Sequence, residues 1–228
     1  MPREVTAVVL AAGEGRRLGA GRNKAYVQLA GRPLLSHCLG VFERAPLVDQ
    51  MVLVVARGEE VRARKLIDDL KTDTLLVCGG VRRRDSALAG VEAAVGKIVL
   101  IHDSARPFPS VALVERVVSG TRAHGACVPV IPIVDTMRYG NEEGFLLPEV
   151  VAREGLLRMQ TPQGFSRELI SRCLRDSDDA FSDDAGAILA CGMPVWSVPG
   201  DAINLKVTRQ DDLSLAEAIA VHLARTSH

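Results

Sequence analysis

The chain has 228 residues, 47% of them hydrophobic and 25% charged, with 28 Lys plus Arg set against 28 Asp plus Glu. A globular chain of this length buries roughly 70% of its unfolded surface, so it needs no disulfide or metal staple. The composition excludes a disordered or acidic solvating protein. The even charge balance argues against a general nucleic-acid binder, while leaving room for a local basic pocket.

Short runs rich in Val, Ile and Leu alternate with stretches of helical period. Strands are predicted over 5–10, 51–55, 75–77, 98–101 and 127–131, each with little polar alternation, as in strands covered on both faces. Helices are expected between them over 34–44, 59–71, 85–95 and 111–123, the second on the strength of Val61, Leu66, Ile67 and Leu70. This order predicts an α/β fold with a doubly wound, mostly parallel sheet, whose strand C-terminal ends meet at one ligand-binding edge. The segment 134–153, VDTMRYGNEEGFLLPEVVAR, breaks the rhythm with turn signals at Gly140-Asn141 and Glu143-Gly144 and reads as a protruding β-arm. Beyond it come helices over 166–175 and 183–191, a strand over 194–198 and a closing helix over 211–224. Without repeats or a linker, residues 1–228 are expected to form a single domain carrying that arm.

The five Cys include no CxxC pair, and Cys78 and Cys127 lie in the apolar runs LLVC and GACVPV. They read as reduced, structural thiols, the latter two as small buried hydrophobes. The first apolar run lacks the length and flanks of a signal peptide, and none approaches the ~20 residues of a membrane span. A cytoplasmic protein without membrane or nucleic-acid partners is expected.

Three polar clusters follow predicted strands. The first, AAGEGRRLGAGRNKAY, combines Gly13, Gly15 and Gly19 with Arg16, Arg17, Arg22 and Lys24. Glycine amides approach a polyphosphate closely, and the cations exceed what a diphosphate needs, so a triphosphate cradle accounts for more of the segment than a solvated strand–helix turn. The second, Gly79-Gly80-Val81-Arg82-Arg83-Arg84-Asp85-Ser86, offers main chain to a flat ligand and a hydroxyl near a helix start. The third is His102-Asp103-Ser104-Ala105-Arg106-Pro107. There Asp103 suits Mg²⁺ and Arg106 suits a phosphate, the alternative being an Asp–Arg structural pair; His102 is expected to pack rather than react. Thr161-Pro162-Gln163-Gly164 precedes a helix and Ser182 is a natural N-cap, so capping explains both in part. Lys206, within NLKVT, awaits an anionic partner.

Taken together, AAGEGRR, NKAY, GGVRRRDSALAGV, HDSARP, VDTM, AREGLLRMQTPQGF, SDDA and NLKVT resemble, in this order and over nearly the whole chain, the 2-C-methyl-D-erythritol 4-phosphate cytidylyltransferase family. The resemblance implies a Rossmann-like nucleotidyltransferase that moves CMP from CTP to 2-C-methyl-D-erythritol 4-phosphate. Pyrophosphate would be released and 4-diphosphocytidyl-2-C-methyl-D-erythritol formed, with Mg²⁺ or another divalent cation. It implies a homodimer in which the arm over 134–153 reaches the partner's site. Arg17 and Lys24 would be catalytic. Ala11, Ala12, Gly13, Gly15, Gly80 and Ser86 would frame the nucleotide, with Lys206 on phosphate. Asp103 would hold the metal, and Asp103, Arg106, Thr136, Arg153, Thr161 and Ser182 would line the second substrate's pocket. The chain departs from the family at Asn23 and Ala25, which flank Lys24 where Pro and Gln are usual, at Arg138 for Lys, and at Ser182 for Thr. The role of Asp201 stays open. Two alternatives are a cytidylyltransferase for another sugar-alcohol phosphate, such as ribitol 5-phosphate, and a Rossmann dinucleotide-binding domain. Thr136 and Arg153 speak against the first. Against the second, Val55-Ala56-Arg57 stands where a ribose-binding acid belongs.

Overall fold

β1 (Val5–Ala11) is buried along its whole length and pairs in parallel with β4 (Gln50–Val55) on one side and β6 (Ile98–Asp103) on the other. The computed structural model describes residues 3–13, 23–176 and 181–226. β4 pairs in parallel with β5 (Asp73–Cys78). Beyond β6 the sheet continues with β11 (Gln163–Ser166), antiparallel, and then β7 (Ala126–Pro132). β7 also pairs with β10 (Leu157–Met159), antiparallel, and with β12 (Trp196–Pro199), parallel. Among the described residues this makes an eight-stranded, mostly parallel sheet.

Alternate residues of β1 serve different cores. Val5, Ala7, Val9 and Ala11 belong to the core shared with α1 (Leu34–Arg44), α2 (Glu60–Ile67) and α4 (Val111–His124). Val8 and Leu10 belong to the one shared with α3 (Arg83–Ala93), α5 (Arg167–Asp176) and α6 (Asp184–Ala190). With no solvated face, such strands have no polar alternation to display. α1 feeds Leu35, Cys38, Leu39 and Phe42 into the first core, the stripe of an amphipathic helix. A third core joins α7 (Gln210–Thr226) to the two-residue strands β2 (Gln28–Leu29) and β3 (Arg32–Pro33) through Leu29, Leu34, Phe108, Val207 and Leu213.

β8 (Met137–Gly140) and β9 (Leu146–Val151) form the hairpin expected over 134–153, a sheet of their own. The Asn141 side chain accepts the Phe145 N–H at 2.9 Å within its turn. Residues 134–150 are exposed, with Tyr139, Phe145, Leu146 and Val150 each at least 60% accessible.

Four local expectations are corrected. α2 ends at Ile67 and not at 71, because the Glu43 carboxylate takes the N–H groups of Lys71 and Thr72 at 2.8 and 3.2 Å and draws the chain toward β5. Gln163 and Gly164 begin a strand rather than a helix cap, with Gly164 facing both Leu100 and Cys127 across the sheet. Asp183, and not Ser182, caps α6, its carboxylate accepting the Gly186 N–H at 3.1 Å. Cys78 is exposed as the last residue of the edge strand β5, whereas Cys127 is buried; all five thiols are free. No described helix is long and apolar enough to cross a membrane.

Candidate active site

Leu10 is in register with Asp103, and Ala11 with Val55, so β1, β4 and β6 end at one edge. Strand order reverses between β1 and β6, and such a reversal opens a crevice beyond the carboxyl ends of the strands. A cleft of about 170 Å³ lies at the end of β6, lined among others by Arg83, Asp103, Arg106, Thr161, Ser182 and Lys206.

Asp103 is its electrostatic centre. Lys206 Nζ donates to Oδ2 at 2.6 Å and Arg83 Nη2 to Oδ1 at 3.1 Å. Burial works against the charged carboxylate, but Arg83 and Lys206 outweigh it and hold the Asp103 carboxyl well below the usual range. Arg83 also grips Asp184 through two hydrogen bonds of 2.9 and 2.7 Å. Burial pushes the Asp184 carboxyl upward, with Arg83 pulling it back.

Beneath Asp103 lies a buried polar relay. The Thr161 hydroxyl accepts the Asp103 N–H at 3.2 Å and is 3.0 Å from His102 Nδ1, while His102 Nε2 is 2.9 Å from the Arg106 carbonyl. A carbonyl only accepts, so His102 carries its proton on Nε2 and takes the threonine proton on Nδ1. Burial lowers the His102 pKa to about 4, so the ring is neutral at physiological pH. The ring is fully buried and meets Phe42 edge-on with centroids 5.2 Å apart.

Arg106 does not pair with Asp103. Its guanidinium donates to the carbonyls of Asn204 at 2.8 Å and Met159 at 3.0 Å, leaving Nε buried without a partner among the described residues. It thereby fixes the chain just before Lys206. Asp201 binds the hydroxyl of Ser110, the N-cap of α4, and the Arg116 guanidinium, and is structural.

The paired glycines have a reason inside the fold. A Cβ on Gly79 would stand 2.6 Å from Ser86 Oγ and 2.7 Å from Ala12 Cβ, so the loop after β5 touches the loop after β1 through bare backbone. Ser86 Oγ accepts the Gly80 N–H at 3.2 Å. The nucleotide candidates Ala11, Ala12, Gly13, Gly80 and Ser86 therefore lie along two adjoining segments, the end of β1 with the loop after it and the loop after β5 with the start of α3. Lys24 opens a single 3-10 turn that Asn23 ties to β1, donating to the Ala11 carbonyl at 2.9 Å and accepting the Ala25 N–H at 3.1 Å. Arg17 and Gly15 lie outside the described residues.

Residues 5–222 match the family model for 2-C-methyl-D-erythritol 4-phosphate cytidylyltransferase (IspD). The chain belongs to this family. The 2-C-methyl-D-erythritol 4-phosphate cytidylyltransferase of Geobacillus kaustophilus (strain HTA426) is 37% identical over 219 residues, covering 93% of this chain and 95% of its own. That of Pelotomaculum thermopropionicum is 38% identical over 224 residues, covering 95% and 94%. The crystal structure of the Thermus thermophilus cytidylyltransferase superposes with a TM-score of 0.81 at 35% identity, over 95% of this chain and 98% of that one.

In this member of the family the cleft gathers Asp103, Arg106, Thr161, Ser182 and Lys206, five residues that the sequence marked. Thr136 and Arg153 stand apart, exposed on the arm and its base, where the Arg153 guanidinium donates to the Val134 carbonyl. Sequence reasoning missed Arg83 and Asp184 as a unit. The signal was an arginine at the first helical position of α3 and the second aspartate of Ser182-Asp183-Asp184, each read only as one of a run.

Proposed function

We propose that the cleft transfers CMP from CTP to 2-C-methyl-D-erythritol 4-phosphate, releasing pyrophosphate and forming 4-diphosphocytidyl-2-C-methyl-D-erythritol. The observation that carries this reading, together with family membership, is one carboxylate held between two cations at the point where strand order reverses. A phosphate monoester has its second pKa near ~6 and is largely dianionic at neutral pH, so it needs little help from a base. One of its oxygens bonds to the α-phosphorus of CTP. The bond from that phosphorus to the oxygen bridging to the β-phosphate breaks, and pyrophosphate departs with the electron pair. The difficulty is bringing two anions together, so this chain's part is positioning and charge neutralisation.

Lys24 and Arg17 fit the role of stabilising the pentacovalent transition state. Ala11, Ala12, Gly13, Gly15, Gly80 and Ser86 frame the nucleotide, and Lys206, whose own side chain is 41% exposed in its pair with Asp103, takes a phosphate. Asp103 offers a single carboxylate, and among the described residues no cluster of three or more His, Cys, Asp or Glu joins it. That suits Mg²⁺, which is commonly held by one or two carboxylates together with substrate phosphates and there neutralises phosphate charge. Asp103, Arg106, Thr161 and Ser182 form the acceptor's pocket.

The arm completes the site in a homodimer. An isolated two-stranded hairpin is marginal in water, and Tyr139, Phe145, Leu146 and Val150 stay largely exposed among the described residues of one protomer. A second copy that covers them receives Thr136 and Arg153 at its own cleft. Residues 1–228 then act as one domain, and its five free thiols suit a reducing cytoplasm. Pyrophosphate release measured with each NTP and with methylerythritol or ribitol phosphate tests the reading. Release confined to CTP with methylerythritol phosphate supports it, preference for ribitol 5-phosphate redirects it, and silence with every pair overturns it.

A further inference from the structure

We infer that Arg83, aimed by Asp184, is a positioning residue for Asp103. The inference rests on the reading above, that Asp103 serves the reacting phosphates. Asp184 lies in the first turn of α6 with its side chain 1% exposed. From the first turn of α3, Arg83 meets it with both ends of its fork, Nη1 to Oδ1 at 2.9 Å and Nη2 to Oδ2 at 2.7 Å. The same Nη2 reaches Asp103 Oδ1 at 3.1 Å. A guanidinium is planar, so one carboxylate that holds two of its nitrogens also fixes the direction in which their other protons point. Asp184 thereby sets the donor that Asp103 receives, and one cation joins α3, β6 and α6.

The two oxygens of Asp103 are consequently unequal. Oδ1 is tied to a forked pair anchored in the interior. Oδ2 is held by Lys206, whose side chain is 41% exposed. A long exposed side chain exchanges partners readily, whereas a fork on a buried carboxylate does not. Oδ2 is the exchangeable position, and Arg83 keeps the carboxylate from rotating when Lys206 leaves it for a phosphate. The charges agree with this. Arg83 and Asp184 cancel, so the cluster, neutral while Lys206 is paired, carries the one negative charge of Asp103 once Lys206 has gone.

A pair that merely ties α3 to α6 would change stability and leave the turnover of folded molecules alone. The test uses the double variant Arg83→Gln/Asp184→Asn, which removes both charges together and strands neither in the interior. Arg83→Lys, which keeps the charge without the fork, accompanies it. Thermal unfolding, kcat and KM for both substrates, and binding of Mn²⁺ in the presence of CTP are measured for each. The double variant is expected to fold, with kcat lowered and Mn²⁺ binding weakened by about 10–100-fold, the cost typical of losing a residue that orients a metal ligand. Arg83→Lys shows the same direction of change. When Asp103→Asn is already present, the double change adds less than about twofold, since the residue it positions is gone. Wild-type kcat and Mn²⁺ binding in a folded double variant overturn the inference, as does an undiminished effect on top of Asp103→Asn. Should the double variant not fold, Arg83→Lys decides alone, and wild-type kcat there overturns it. If Asp103→Asn by itself leaves the rate unchanged, the reading of the site has failed, and not just the role of Arg83.

Discussion

The Thr161 hydroxyl donates to His102 Nδ1 at 3.0 Å while it accepts the Asp103 amide at 3.2 Å, so one side chain serves two buried groups on adjacent residues of β6. Thr161→Val keeps the shape and strands both. An unsatisfied buried polar group costs about 1–3 kcal/mol, and two share this partner, so a loss of about 2 kcal/mol or more is expected in urea unfolding at pH 7. A variant as stable as the wild type would mean that water replaces the hydroxyl.

His102 gives that stability a pH dependence. Burial depresses its pKa from 6.5 to about 4, so between these values the unfolded chain takes up a proton that the folded one refuses. The contribution is fully present above pH 6.5 and is lost as pH falls toward 4, at up to about 1.4 kcal/mol per pH unit and about 3 kcal/mol in all. His102→Gln keeps a donor for the Arg106 carbonyl and has no titration. Its unfolding free energy should therefore fall less than that of the wild type between pH 7 and 4.5. Parallel profiles for the two proteins would remove His102 as the cause.

The sequence displayed the sheet well because β1, β4 and β6 are buried on both faces, and unbroken apolar runs are what such burial requires. α1 was legible to both ends, since Pro33 precedes it and its buried stripe is regular. β11 was not, because Phe165 is its one large apolar residue and its partners, β6 and β7, come from far away in sequence. The end of α2 depends on Glu43, a residue of another helix, and local pattern carries no trace of that. In the site, residue type and position marked Asp103 as an acid at a strand end, and Lys206 as a cation within NLKVT. Which cation meets which carboxylate was hidden, because Arg83 and Asp184 lie 101 positions apart. Separations of 98 and 53 positions hid Arg106's partners, two carbonyls that any cation could have served.

Lys206→Gln should separate binding from chemistry. If Lys206 gives up its ion pair with Asp103 to take a phosphate, the bond it makes is to a charged group, and such bonds are worth about 1.5–3 kcal/mol, which corresponds to about 10–100-fold. The expected result is a fall of that size in kcat/KM, expressed mostly in KM, with a weaker dependence on salt. An unchanged KM would show that Lys206 stays on Asp103 throughout the cycle.

Lys24→Ala should behave in the opposite way. If Lys24 meets charge that develops only as the α-phosphorus is attacked, kcat falls about 100–1000-fold while CTP affinity changes little. Arg17→Ala is expected to match it. Steady-state kinetics beside equilibrium CTP binding make the comparison, and a raised KM at full kcat would reassign both residues to ground-state binding.

Phe145→Asp tests the arm. The side chain is 66% exposed in one protomer, so a carboxylate there is harmless to the hairpin itself. Covered by a second copy, the same carboxylate would be stripped of water, which costs several kcal/mol unless it is paired. The dimer should therefore dissociate at concentrations about a hundredfold or more above those at which the wild type does, as read by sedimentation velocity. Activity should follow the dimer if, as proposed, Thr136 and Arg153 reach a cleft only through it. Full activity from a monomeric Phe145→Asp protein would show that the arm serves its own chain or none.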